Sequence, residues 1–456
     1  MSIPANEVPS RQGLPRQPML NSIIAISFAL LVLPFIFFSS TSWIAWPRLA
    51  GLVLALALAR KAFPQGLPAN LKAMASVLAV IFASAWTGGL LNGELPENET
   101  FMAVEGMLAI GGFGVLTMAI LSSGWSTVVL RTLTTIAVVL LVCSLAGYFL
   151  PIQRMVTMGP LTYFDPTRLV LIWPTKMAMS WAGQIGWGHA NHAGLLFGVS
   201  FILTLEHLAS SATRRRTAWW LLALGFGAAL FLTGSRGALL MIVSCLPVIL
   251  FRRGWAWGAR CAALCVAAFA LGVGTLQLKE HLMIREAPVS ESSPSPQPPP
   301  DYHLEGLVKR GSAGRMGAYA TLQGELDGSL WFGRGLSQNN RPLSHLLNEH
   351  SSYLATLRGG GIIASAGHII LLAIAATAAF RLFLRGTRWP LLLLAAVTTA
   401  ILFDRGSVFL VNASYEFPFH WAAVLLPVLM AAGRGAISPA PLPSSPDPEA
   451  PRVPHG

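Results

Sequence analysis

Charge is what this chain has least of. Only 11% of its 456 residues are charged, against about 25% in soluble domains. That excludes an ordinary soluble enzyme. Cysteine is also scarce: Cys143, Cys245, Cys261 and Cys265 all lie in apolar runs, at spacings that fit no metal pattern, and read as packing residues. No clustered carboxylates and no Asp-x-Asp element mark a divalent-ion nucleotide-sugar site, and no glycine-rich P-loop could cradle a nucleotide phosphate. No internal repeat is visible, so the inverted-repeat plan of many transporters gets no support. No cleavable signal peptide is expected either, because the first apolar run is long enough to span and lacks a small-residue cleavage site.

What is abundant is hydrocarbon. The chain is 54% hydrophobic, in runs of about 20 residues, the length that crosses a bilayer as a helix. The fold expected is all-α and polytopic, with about twelve transmembrane helices over 20–40, 42–59, 73–92, 102–122, 130–150, 191–209, 217–233, 237–251, 259–277, 360–381, 389–404 and 417–433. Much of the net charge of +12 follows from this topology, not from nucleic-acid binding. An even number of spans puts both termini on one side. Arg60, Lys61, Lys72, Arg131, Arg214, Arg215, Arg216, Arg252, Arg253, Arg381, Arg385 and Arg388 share that side and make it cytoplasmic. The opposite loop Asn92–Glu99 is acidic.

The expected organisation is a cytoplasmic tail over 1–19, spans over 20–277 with a long outer segment over 151–190, an outer loop over 278–359, spans over 360–433, and a Pro/Ser-rich disordered tail over 434–456. The outer loop opens with a flexible spacer, Ser290 to Pro300. Two amphipathic helices are expected after it. In the first, Met316, Tyr319, Leu322 and Leu326 recur at steps of three and four, and Arg315 borders the stripe. In the second, Leu343, Leu346, Leu347, His350, Leu354 and Leu357 share one face.

Three residues stand out chemically. Arg236 lies in the turn Thr233-Gly234-Ser235-Arg236-Gly237-Ala238, where Ser235 can cap the following helix, so that guanidinium, free amides and helix dipole converge on an anion. The alternative is an arginine snorkelling to headgroups, which an outer position disfavours. Arg315 points either to the protein body or to a rim salt bridge. His350 is a lone histidine on an apolar face, a pattern more often satisfied core than catalyst, yet imidazole takes a proton near neutral pH without large tuning. His345, Asp404, Arg405 and Glu416 read as structural. His189, Asn191 and His192 lack a cysteine or carboxylate to complete a metal site.

The turn at Arg236, the element Gly314-Arg315-Met316-Gly317-Ala318-Tyr319 followed by Trp331-Phe332-Gly333-Arg334-Gly335, and Glu349-His350-Ser351-Ser352-Tyr353-Leu354 with Gly359-Gly360-Gly361 come in an order that resembles the bacterial O-antigen ligase family. The broader superfamily includes O-antigen polymerases and protein O-oligosaccharyltransferases. Where the family often has Asn after the histidine, this chain has Ser351. The resemblance implies a glycosyltransferase of the GT-C type in the bacterial inner membrane, with its outer loop in the periplasm. Its partners would be an undecaprenyl-pyrophosphate-linked glycan as donor, a lipid A–core sugar as acceptor, and membrane lipids. It implies no cofactor, no metal and inversion at the transferred sugar. By motif, Arg236 and Arg315 match the family's two arginines and His350 its catalytic histidine. A transporter of lipid-linked glycans is the alternative of a different class. It would place ionisable groups deep in the spans.

Overall fold

The computed structural model describes residues 18–31, 45–63, 66–123, 125–149, 190–210, 216–286, 322–337, 351–402 and 416–435. They form an all-α protein. In chain order the helices are α1 (Pro18–Leu31), α2 (Ala45–Ala57), α3 (Ala59–Ala62), α4 (Ala69–Leu91), α5 (Pro96–Ser123), α6 (Ser126–Phe149), α7 (Ala190–Ser210), α8 (Arg216–Leu232), α9 (Arg236–Glu286), α10 (Ser352–Leu384), α11 (Trp389–Ala400) and α12 (Glu416–Gly435). A helical segment lies at each of the twelve expected stretches, because a long apolar run can satisfy its backbone in hydrocarbon only as a helix.

Length does not follow so simply. Among the described residues five helices are long and apolar enough to cross a membrane: Ala69–Leu91, Pro96–Ser123, Val128–Phe149, Gly254–Lys279 and Ser352–Leu384. Six more apolar helices, including Ala193–Ala209, Thr217–Leu232 and Trp389–Ala400, run only 10–17 residues. The expected count of about twelve full-length spans is therefore reduced to several long apolar helices, consistent with a multi-pass membrane protein. A short helix can still be covered by its neighbours, and α11 is packed by α9, α7, α10 and α12.

Two expected boundaries also move. The eighth and ninth stretches form one helical run, α9, broken only where Gly254 takes φ 73°, and the run continues to Glu286, past the expected start of the outer loop at Leu278. The helix that holds Leu354 and Leu357 begins only at Ser352, because Ser351 is extended (φ −158°, ψ 125°); the rest of the second amphipathic helix, Leu343 to His350, lies outside the described residues.

One large core runs through the helices, with a small separate cluster at Leu322 and Leu326. α10 packs most extensively on α4, and also on α12 and α11; α7, α8 and α9 pack on one another, and α5 joins α2, α4 and α12. Trp421, Tyr148, Phe82, Phe197 and Phe201 are its largest fully buried side chains. All four cysteines are free, and the Cys245 thiol donates to the Leu392 carbonyl at 3.4 Å, which agrees with a packing role.

Candidate functional site

The residues that position a site gather at one end of the bundle, around a break in α10. Gly361 has φ 66° and ψ −163°, outside helical space. Tyr353 stacks on His368 with ring centroids 5.3 Å apart, and Thr356 Oγ1 lies 3.4 Å from His368 Nδ1. In a straight helix twelve residues rise about 18 Å. The arm 352–360 therefore folds back against the long arm 362–384, and its amide at Ser352 donates to the Ile401 carbonyl at the end of α11 (2.9 Å).

A break inside a helix strands carbonyls on one side and amides on the other. The Leu330–Gly335 segment satisfies both. Arg334 N donates to Arg358 O (2.7 Å) and Gly335 N to Gly359 O (2.9 Å), while Ile362 N donates to Leu330 O (3.0 Å) and Ile363 N to Trp331 O (3.3 Å). Ser84 of α4 donates to Gly360 O at 2.8 Å, and Asn92 donates to Gly333 O at 3.1 Å. So close an interlock needs glycine. A Cβ on Gly333 (φ +71°) would sit 2.6 Å from the Gly359–Gly361 backbone, and one on Gly361 would collide with the Trp331 carbonyl.

Two carboxylates hold this knot. Glu99, in the first turn of α5, is fully buried. Its Oε2 accepts Leu336 N (2.7 Å), its Oε1 accepts Ser337 N (2.9 Å), and the Ser337 hydroxyl donates to Oε1 as well. Glu325 pairs with Arg358, Nε to Oε2 at 2.8 Å. The Arg334 side chain also donates to the Glu325 carbonyl.

Of the residues singled out from sequence, Arg315 and His350 lie outside the described residues, as do His345, Asp404, Arg405 and His189; of Arg236, Asn191, His192 and Glu416 only the backbone is described. Arg236 is the first residue of α9. Ser235 caps it as expected, its Oγ accepting Ala238 N at 3.4 Å, and Ser235 N donates to Thr233 Oγ1 at 3.2 Å. Gly194 of α7 lets this turn pack closely, since a Cβ there would lie 2.8 Å from Ser235 Cβ. In the segment before α10, the apolar stripe ends as expected: Leu322 and Leu326 are buried against Leu354 and Leu357 of the short arm. These four leucines line a cleft of about 680 Å3 with Leu330 and Asp327. The short arm begins two residues after His350.

Beneath the knot lies a polar cluster that the sequence did not single out. His368 (1% exposed) meets His420 of α12 (6% exposed) edge to face at 5.3 Å, and His420 meets Trp421 at 5.2 Å. The Thr356 hydroxyl spends its one proton on Ser352 O at 2.8 Å. Its contact with His368 therefore requires a proton on Nδ1, which in the neutral ring leaves His368 Nε2 a lone pair with no partner among the described residues. Among the described residues no group of three ligating side chains could hold a metal ion.

Glu99, Glu325, Arg358, His368 and His420 were missed because their partners are remote in sequence. Faint signals existed: an acidic residue at a helix start and single histidines inside apolar runs.

The chain matches no protein-family model, no curated protein and no solved structure.

Proposed function

We propose that this chain is an O-antigen ligase, an inner-membrane glycosyltransferase that moves a glycan from undecaprenyl pyrophosphate to a sugar hydroxyl of the lipid A–core at the periplasmic face. The chain crosses the membrane about twelve times, with both termini cytoplasmic and the 278–359 loop periplasmic. The basic residues of the terminal side support that orientation.

The observation that carries the reading is the interlock of Trp331–Gly335 with Gly359–Gly361. These are two elements of the family-ordered set, and they adjoin in sequence the segments bearing Arg315 and His350. The capped turn before Arg236 supports it independently.

In this reading the acceptor hydroxyl oxygen attacks the anomeric carbon as the bond to the pyrophosphate breaks. The electron pair leaves with undecaprenyl pyrophosphate, and the hydroxyl proton passes to His350. Arg236 and Arg315 bind the departing charge, where a guanidinium can grip two oxygens at once and a low local dielectric strengthens the contact. A base of this kind contributes about 10²–10⁴-fold.

In cells, loss of a ligase leaves long glycan on its lipid carrier. Loss of a polymerase leaves single capped units, and loss of a protein O-oligosaccharyltransferase removes glycan from secreted proteins. Deletion of this chain is expected to give the first pattern; either of the others would overturn the assignment.

One observation favours a second reading, transport of a lipid-linked glycan: His368 and His420 are ionisable groups buried inside apolar helices, where transporters keep theirs. Product formed with donor and acceptor in one leaflet excludes transport as the activity.

A further inference from the structure

The opposite end of the bundle carries a separate basic cleft of about 200 Å3. It lies where α4 starts and where α10 and α12 finish, and is lined by Pro68, Asn70, Arg381, Leu382, Arg385 and Ala431. We propose that this cleft binds the phosphate headgroup of an anionic phospholipid.

Three positive features converge there. Arg381, in the last turn of α10, and Arg385, its C-cap, stand four residues apart, both exposed. Among the described residues no carboxylate pairs with either, and none lines the cleft. The third feature is the N-terminus of α4, a helix of 23 residues whose N-cap position is Pro68 and carries no side-chain cap. Leu71 N and Lys72 N donate to Pro68 O, but the amides of Ala69 and Asn70 have no acceptor among the described residues. The carbonyl end of α10 offsets part of the charge of Arg381 and Arg385, and an anion between the two guanidiniums and the amide end of α4 relieves the repulsion that is left. Phosphate fits that role, because free helix amides and arginine forks both match its oxygens.

Position selects a lipid over free phosphate. The cleft lies at the ends of three apolar helices, where headgroups sit against a membrane protein, and Leu382, Ala431 and Pro68 form an apolar wall for the glycerol and upper acyl chains. Basic pockets between helices at the membrane edge are the usual sites for anionic headgroups. A zwitterionic choline lipid brings a cation that the same two arginines repel.

The test uses the full chain purified in detergent. Phosphatidylglycerol, phosphatidylcholine and inorganic phosphate are added separately, and retention by intact-complex mass spectrometry is read with the thermal midpoint. Wild type should retain phosphatidylglycerol and gain stability from it, with no comparable effect of the other two. R381Q/R385Q should bind it about thirtyfold more weakly, while R131Q, on α6, should bind as wild type does. A photoreactive phosphatidylglycerol should label wild type within 68–72 and 381–388, which reads the site without any variant. Equal retention by wild type and R381Q/R385Q, equal binding of phosphatidylcholine, stabilisation by inorganic phosphate alone, or labelling only elsewhere would each overturn the proposal.

Discussion

Arg358 and Glu325 form an ion pair across two separate elements: the guanidinium Nε lies 2.8 Å from Oε2, and a second nitrogen lies 3.4 Å from Oε1. The arginine side chain is 3% exposed and the glutamate 27%. The pair ties the turn at 322–326 to the folded-back arm of α10. Removing one partner of a buried pair strands the other charge and costs about 3–5 kcal/mol. With Glu325 partly exposed, R358M or E325Q should lose about 3 kcal/mol, and R358M/E325L less than either. Unfolding of the purified variants checks the order; additive losses would contradict a coupled pair.

Gly333 and Gly111 form a matched test of the knot. G333A forces a Cβ into the Gly359–Gly361 backbone at a positive φ, so it should cost more than about 3 kcal/mol or abolish folding. At Gly111, in the middle of α5, a Cβ meets nothing within 4 Å, and G111A should be neutral or stabilise by up to about 1 kcal/mol. Folded yield by size-exclusion chromatography and thermal midpoints compare the two.

Parts of this architecture were legible beforehand and parts were not. Apolar runs marked the long helical stretches, because a backbone within such a run satisfies its own polar groups as a helix. Ser235 before a glycine and an apolar run was readable as a cap. Leu322 and Leu326 were readable as a buried stripe. The break at Gly361 was hidden, because a glycine run inside an apolar stretch has the same composition whether the helix is straight or folded back. Glu99 read as part of an acidic loop, since the amides it binds lie 237 and 238 residues away. His350 fell into periodic register with Leu354 only on the assumption of an unbroken helix, which the extended Ser351 removes.

His420 Nε2 is buried without a hydrogen-bond partner among the described residues. A buried polar group left unpaired costs about 1–3 kcal/mol relative to water, so H420F should raise stability by about 1 kcal/mol while leaving glycan transfer intact. Loss of transfer with stability unchanged or raised would instead give the histidine cluster a part in the reaction. Unfolding and turnover on the same preparation decide.

Ser235 supplies the cap that orients the first turn of α9. S235A should cost about 1 kcal/mol and, by loosening the turn that carries Arg236, raise KM for the lipid donor more than it lowers kcat. S235T, which keeps the hydroxyl, should restore most of the loss.

The central claim is best tested by reconstitution. Purified protein is incubated with undecaprenyl-pyrophosphate glycan and lipid A–core, with and without a chelator, beside H350A, R236A and R315A. Wild type should form the glycan–lipid conjugate equally in both conditions, with H350A down about 10²–10⁴-fold and both arginine variants severely impaired while still folded. Full transfer by all three variants, or no conjugate from wild type with either additive condition, would contradict the assignment.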